Sequence, residues 1–272
     1  RMAAELDEHV EQFRHRPLND AGPFTFVAAD ALTMKLREGG RVINAVVLLA
    51  TGVNGDGHRE VLGMRVATAE TGPVWNEFFA DLVARGLTGV RLVTSDAHAG
   101  LVEAIAANLP GASWQRCRVH WIRTALAHVS RGQHTVVAAA IRQAFDQPDR
   151  AHAGETWRKV AEQLRARWPK LADLMDASEH DVLAYMGFPA QHRTKLHSTN
   201  PLERLNREVQ RRADVGGIFP SEQSILRLIG AVLLEANDEW QLQHRYMQIE
   251  GMAELDAPAE ASQALIAEAD AA

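Results

Sequence analysis

The feature that most constrains this chain is a turn. Asn54-Gly55-Asp56-Gly57 separates two apolar runs, residues 41–51 and residues 59–68, both rich in β-branched side chains. Asn-Gly and Asp-Gly supply the backbone conformations of a tight hairpin at little steric cost, so the two runs read as antiparallel strands joined there. An earlier run, residues 23–30, alternates weakly after Gly22-Pro23 and reads as a strand ending near Asp30. Three strands within the first 68 residues demand later elements to cover their faces.

Those elements follow in order. Val74, Phe78, Phe79, Leu82 and Val83 recur at helical spacing between Val74 and Arg85, and Gly86 stops the pattern. A strand over 90–95, a helix to about Asn108 and a short strand from Ser113 to Val119 come next. Three antiparallel strands, a helix, a parallel strand, a helix and a last strand is the element order of the ribonuclease-H-like fold, an α/β fold on a mixed five-stranded sheet. From Trp121 to Pro189 the spacing is helical throughout, with helices near 121–130, 134–146, 150–168 and 170–186. This block reads as an all-helical insertion. Two more helices, one carrying Glu203 to about Arg212 and one from Ser221 to about Gln243, complete the body. The expected division is 1–20, the end of an N-terminal helical region; 21–120, the first part of the core; 121–190, the insertion; 191–247, the helical second part of the core; and 248–272, an acidic Ala-rich tail.

Composition removes several function classes. The 272 residues are 46% hydrophobic and 24% charged, as in an ordinary globular protein, and no apolar run approaches the length of a membrane span. The single cysteine excludes an internal disulfide and any multi-cysteine zinc site, which fits a reducing, cytoplasmic setting. A formal net charge of −6 argues at first against nucleic acid. Its distribution weakens that objection: no basic residue follows Arg245, and Glu250, Glu254, Asp256, Glu260, Glu268 and Asp270 leave the rest of the chain neutral. The chain opens at Arg1 rather than at a methionine, so it reads as the downstream part of something longer.

Chemistry concentrates on three acids far apart in sequence, Asp30, Asp96 and Glu203. Carboxylates at two strand ends and a helix start that converge are what a two-metal phosphoryl-transfer site requires. Each has a plainer reading beside it, and an Asp at a strand end such as Asp30 is often simply a turn former. Asp96 precedes a helix and can be its N-cap. Asn200, Pro201 and Glu203 fall at N-cap, N1 and N3 if the helix starts at the proline, which makes Glu203 a capping-box residue on local evidence. Arg204, Arg207, Arg211 and Arg212 follow on the same helix and are either a row that grips phosphodiester oxygens or a solvated face with Glu208 pairing Arg204 and Arg212. Cys117 and His120 have chelating spacing, but with no second cysteine or partner pair a zinc site is not expected. Trp121, Trp157, Trp168 and Trp240 read as core residues rather than base-stacking platforms.

Taken together, Asp30-Ala31-Leu32 with Lys35 and Arg37, Ser95-Asp96-Ala97-His98 with Gly100-Leu101, Cys117-Arg118-Val119-His120-Trp121, and Ser198-Thr199-Asn200-Pro201-Leu202-Glu203-Arg204-Leu205-Asn206 resemble the catalytic region of mutator-type transposases of bacterial insertion sequences. The resemblance covers roughly residues 20 to 245. It implies a DDE transposase in which Asp30, Asp96 and Glu203 hold two Mg²⁺ ions, or Mn²⁺ in their place. It further implies cleavage at element ends, strand transfer into target DNA, a homo-oligomer on nucleoid DNA, and His120 close to the site. Two other readings stand beside it: a non-catalytic fragment that binds DNA or intact transposase, and another two-metal nuclease of the same fold.

Overall fold

The computed structural model describes residues 2–243, 245–253 and 255. Most of the acidic tail expected over 248–272 therefore lies outside the described residues. Helix α1 (Met2–Arg14) precedes three antiparallel strands, β1 (Phe24–Glu38), β2 (Arg41–Asn54) and β3 (Arg59–Ala67). Then come α2 (Gly72–Ala84), β4 (Leu92–Ser95), α3 (Ala99–Asn108) and β5 (Ser113–Arg116). The rest is helical: α4 (Arg118–Leu126), α5 (His134–Phe145), α6 (Arg150–Arg165), α7 (Pro169–Val182), α8 (Ala190–Leu196), α9 (Asn200–Gly216), α10 (Glu222–Leu242) and α11 (Ile249–Ala253). The five strands form one mixed sheet in the order β3-β2-β1-β4-β5, with β4 parallel to both of its neighbours. No helix of the described residues is long and apolar enough to cross a membrane.

The first strand corrects the sequence reading. It does not end near Asp30 but runs on to Glu38, turning into β2 through Gly39 and Gly40 at φ 55° and 77°. Both values lie where glycine alone is comfortable, which suits a two-residue hairpin whose strands twist correctly. The overlooked signal is the alternation Leu32, Met34, Leu36, which keeps the period of two beyond Asp30. Asp30 thus sits mid-strand, opposite Leu49.

Alternation also assigns the two faces. Val27, Ala29, Val46, Leu48 and Ala50 pack against Trp75, Phe78 and Phe79 of α2 and Leu101 and Ile105 of α3. Met34, Leu36, Ala45, Val47 and Leu49 face the opposite way, into Leu205 and Val209 of α9 and Ile225 and Ile229 of α10. Even-numbered β1 residues share that second face, so Asp30 points toward the side on which α9 lies.

The block from α4 to α8 contains only helices, and its apolar side continues onto the sheet through Phe26, Val53 and Leu92. At its centre the Trp121 and Trp157 rings lie 4.8 Å apart, and both are fully buried. Their indole N–H groups donate to Ser178 Oγ at 2.7 Å and to the Met175 carbonyl at 2.9 Å, so the polar edge of each ring is satisfied within the core. Strand β5 is shorter than its sequence suggested. Its partner β4 stops at Ser95, and after the bond from Cys117 N to the Ser95 carbonyl the next N–H, of Arg118, donates to the His197 carbonyl at 2.9 Å as the chain turns into α4. His120 consequently belongs to the first turn of a helix, not to a strand end.

Helices α2 and α3 meet at two glycines. A Cβ on Gly100 would lie 2.5 Å from Gly72 Cα and 2.6 Å from its nitrogen, backbone atoms that cannot swing aside. Gly100→Ala is therefore expected to cost about 1–3 kcal/mol by forcing the helices apart. Gly132→Ala, where nothing stands within 4 Å, should leave stability unchanged or slightly raised. Urea unfolding of both variants checks this; equal stabilities would show that the close approach of the helices is not required.

Candidate active site

Register brings two of the acids together. Ala28 on β1 stands beside Thr94 on the parallel strand β4. Asp30 and Asp96 each lie two residues beyond this pair, Asp30 still within β1 and Asp96 just past the end of β4. β4 has ended by Asp96 while β1 continues, so the aspartates occupy a step at the edge of the pairing.

Asp30 is held by two bonds. Its Oδ1 accepts the Ala31 backbone N–H at 2.9 Å, and its Oδ2 accepts Asn206 Nδ2 at 2.7 Å from α9. Burial pushes its pKa up to about 6, the charges of Asp96 and Glu203 push in the same direction, and the Ala31 N–H and His120 oppose them. A buried carboxylate with like charges nearby is reluctant to ionise.

Asp96 is not the cap of α3. The N-cap is His98, whose Nδ1 accepts the Leu101 N–H at 3.3 Å. Asp96 Oδ1 accepts the His98 N–H at 3.3 Å and leaves its remaining acceptor positions for other partners. Arg116 at the end of β5 is desolvated by burial and carries the attraction of Asp181 and Asp96, which places a fixed positive charge beside this carboxylate.

Glu203 is not a capping-box residue either. Helix α9 starts one residue earlier than its proline suggests, with Thr199 as N-cap and no side-chain cap bond, which moves Glu203 past N3. Its Oε1 instead accepts Thr199 Oγ1 at 3.3 Å and lies 3.4 Å from His120 Nε2. Thr199 also faces Cys117, whose Sγ accepts the Thr199 N–H at 3.4 Å and lies 3.3 Å from its Oγ1. One hydroxyl proton cannot serve both acceptors at once, so Thr199 Oγ1 is shared between the thiol and the carboxylate. Burial opposes the Cys117 thiolate, but His120 and Thr199 outweigh it and hold the thiol below its ordinary range. His120 is correspondingly raised, by Cys117 first and by Glu203 and Asp30 beyond it, against the effect of burial.

Ligand atoms of Cys117, His120 and Glu203 all lie within 4.8 Å of one another. Among the described residues no other three such ligands come that close, so the arrangement of Asp30, Asp96 and Glu203 is more open than this. The sequence offered Cys117 and His120 no partner pair; the partner that the fold provides is a single glutamate from α9.

The arginine row divides. Arg211 and Arg212 both bind Glu208, at 2.7 and 2.9 Å, and Arg212 also reaches Glu235 at 2.9 Å. Glu208 thus pairs with Arg211 rather than with Arg204. Arg207 donates to the Glu203 carbonyl at 3.4 Å, and neither Arg204 nor Arg207 has a carboxylate partner among the described residues.

Sequence reasoning passed over Asn206, Thr199 and Arg116. Asn206 had a visible signal, since it lies three residues after Glu203 on the same side of the helix. Arg116 had none, because its closeness to Asp96 depends on β4 and β5 pairing in register.

The titration of Asp30 tests this arrangement. Folding raises its pKa, so the folded state binds the proton more tightly than the unfolded chain. In the absence of divalent ions its contribution to stability is therefore greatest below about pH 4 and is lost as pH rises through about 6. Carboxyl-carbon NMR should show a midpoint near 6, and Asp96→Asn should lower it by removing a negative neighbour. A midpoint that ignores Asp96 would mean that the two aspartates do not share a field.

Comparison with known proteins gives the family. Residues 1–243 match the family model described as Transposase, Mutator family. The chain is 52% identical over 249 residues to the transposase for insertion sequence element IS1081 of Mycobacterium tuberculosis, covering 92% of this chain and 60% of that protein. It is 42% identical over 241 residues to the transposase for IS406 of Burkholderia multivorans, covering 88% and 61%. It is 34% identical over 241 residues to the transposase for IS256 in transposon Tn4001 of Staphylococcus aureus, again covering 88% and 61%. The chain spans about three fifths of the length of these relatives. On the match to the family model and on these identities, the chain belongs to the Mutator family of transposases.

Proposed function

We propose that this chain is the catalytic core of a DNA transposase, cleaving phosphodiester bonds at insertion-sequence ends and joining the freed strand to target DNA. What supports the reading is that Asp30 on β1 and Asp96, just past the end of the neighbouring strand β4, each follow the paired residues Ala28 and Thr94 by two, with α9 bonded to Asp30 through Asn206 and carrying Glu203 on its preceding turn. We read the mixed sheet of order β3-β2-β1-β4-β5 as ribonuclease-H-like and residues 121–190 as a helical insertion in it. The protein would work as a homo-oligomer on DNA in the cytoplasm.

The donor set fits a hard divalent cation. Three carboxylates would supply oxygen ligands, the ionised form of Asp30 is disfavoured by burial and further by its like-charged neighbours, and Asn206 Oδ1 is buried beside it with no hydrogen-bond partner. Asp30, Asp96 and Glu203 would hold two Mg²⁺ ions, or Mn²⁺, which when bound supply Lewis-acid stabilisation of the attacking and leaving oxygens. The chain's own contribution is positioning. Asn206 fixes the rotamer of Asp30, while Thr199 and His120 hold the Glu203 carboxylate. Arg207, unpaired with any carboxylate among the described residues, would offer a charge to a passing phosphate beside the site. Arg211 and Arg212 are already partly neutralised by Glu208.

Asp30→Asn, Asp96→Asn and Glu203→Gln should each lower Mg²⁺-dependent nicking of DNA carrying element ends by roughly 10²–10³-fold or more, as removal of transition-state charge stabilisation does. DNA affinity should hold or rise in all three, because negative charge is lost. Arg207→Ala should weaken binding at every sequence, and by more than Arg211→Ala, whose guanidinium is already committed to Glu208. A nicking assay run beside filter binding decides the matter: full activity in any of the three acid variants removes that residue from the site.

A further inference from the structure

A second basic feature lies on the other flank of α9. A cavity of about 510 Å³ opens between the start of β3, the end of α8, the first turns of α9 and the end of α10, and Arg59, Lys195 and Arg204 all line it. The Arg59 guanidinium lies 3.5 Å from the ring centroid of Trp240 and 5.0 Å from that of Tyr246. Its Nε is buried with no hydrogen-bond partner. Burial lowers its pKa, and the charges acting on it are those of Tyr246 and Arg204 rather than of any carboxylate among the described residues. Lys195 stands 4.7 Å over the Tyr246 ring and donates to the Tyr246 carbonyl. Arg204 is exposed and has no carboxylate partner among the described residues.

Two carboxylates also line the cavity, Glu208 and Glu239. Glu208 is tied to Arg211 and Arg212, which leaves Glu239 alone against three cations. Desolvating an arginine without an anion is costly, and a protein that keeps one stacked on aromatic rings holds a binding charge in a fixed place. The rings serve to hold the cations: Arg59 covers Trp240, and Arg59 with Lys195 covers Tyr246. A stacked base is therefore a poorer fit than an anion.

We propose that this cavity is a DNA-backbone site that takes a phosphodiester of the strand flanking the one at Glu203, with Arg59, Lys195 and Arg204 as its contacts. The inference rests on the transposase reading and adds to it a second grip on the DNA. Residues 203 and 204 are adjacent on α9 but project about 100° apart, so one helix presents the acidic site on one side and the basic cavity on the other. A strand crossing the start of α9 would meet both.

The test uses the full 272-residue chain, a fluorescein-labelled duplex of random sequence, and anisotropy across a potassium chloride series. Lys195→Gln and Arg204→Gln should each reduce the slope of log affinity against log salt by about 0.9, and the double variant by nearly twice that. Thermal unfolding should match that of the parent. Arg59→Lys, which retains charge and loses the planar stack, should bind more weakly with nearly the parent slope. A double variant with parental affinity and slope overturns the site, as does a parent that does not bind the duplex. If inorganic phosphate raises the parent's unfolding midpoint while the DNA slope ignores both substitutions, the cavity holds a small anion and the proposal falls. The same preparations separate this inference from the catalytic one. A parent that nicks DNA while its double variant binds unchanged sinks only the cavity, and predicted slope changes with no nicking under Mg²⁺ sink only the catalytic reading.

Discussion

The bond from Asn206 Nδ2 to Asp30 Oδ2, at 2.7 Å, joins two parts of the chain separated by 176 positions. Everything proposed for the site depends on it. Helix α9 arrives after a long helical block, and its contact with the sheet is otherwise apolar, through Leu202, Leu205 and Val209. Apolar burial fixes which side of a helix faces a sheet but tolerates small rotations and slides. A charge-assisted bond at one atom does not, and it sets the helix so that Glu203 meets His120.

The electrostatics follow from that placement. Burial is the main reason the Asp30 pKa rises, and the charges of Asp96 and Glu203 add to it. The chain tolerates this cost at a point where a cation would relieve it. On the far side of Glu203, Cys117 and His120 support each other's charged forms. Glu203 is therefore shared between an acidic side and a thiol-imidazole side, and its position between them decides which chemistry the site can perform.

Legibility in the sequence was uneven for identifiable reasons. The Asn54–Gly57 hairpin, the two flanking strands and the helical block were readable because turn chemistry and periodicity are local. The full length of β1 was obscured by an acidic residue in mid-strand, since Asp30 resembles a strand end when its later partners Leu32, Met34 and Leu36 are weighed singly. Local rules also pointed both Asp96 and Glu203 toward helix caps. In the structure His98 and Thr199 take those positions, and the two acids face other partners. The cap rules erred by two residues and by one, and shifts of that size decide whether a carboxylate caps a helix or faces a site. The links to Asn206 and Arg116 depend on tertiary register, which no local pattern encodes.

The central claim is that a divalent ion belongs among Asp30, Asp96 and Glu203 rather than between Cys117, His120 and Glu203. Iron-directed cleavage of the polypeptide tests it most directly. Fe²⁺ substituted for Mg²⁺ generates hydroxyl radicals with ascorbate and peroxide, and these cut the backbone nearest the ion. The account predicts fragments ending near residues 30, 96 and 203, suppressed by excess Mg²⁺. Cuts confined to the neighbourhood of residues 117–120 and 203, with β1 intact, would contradict it.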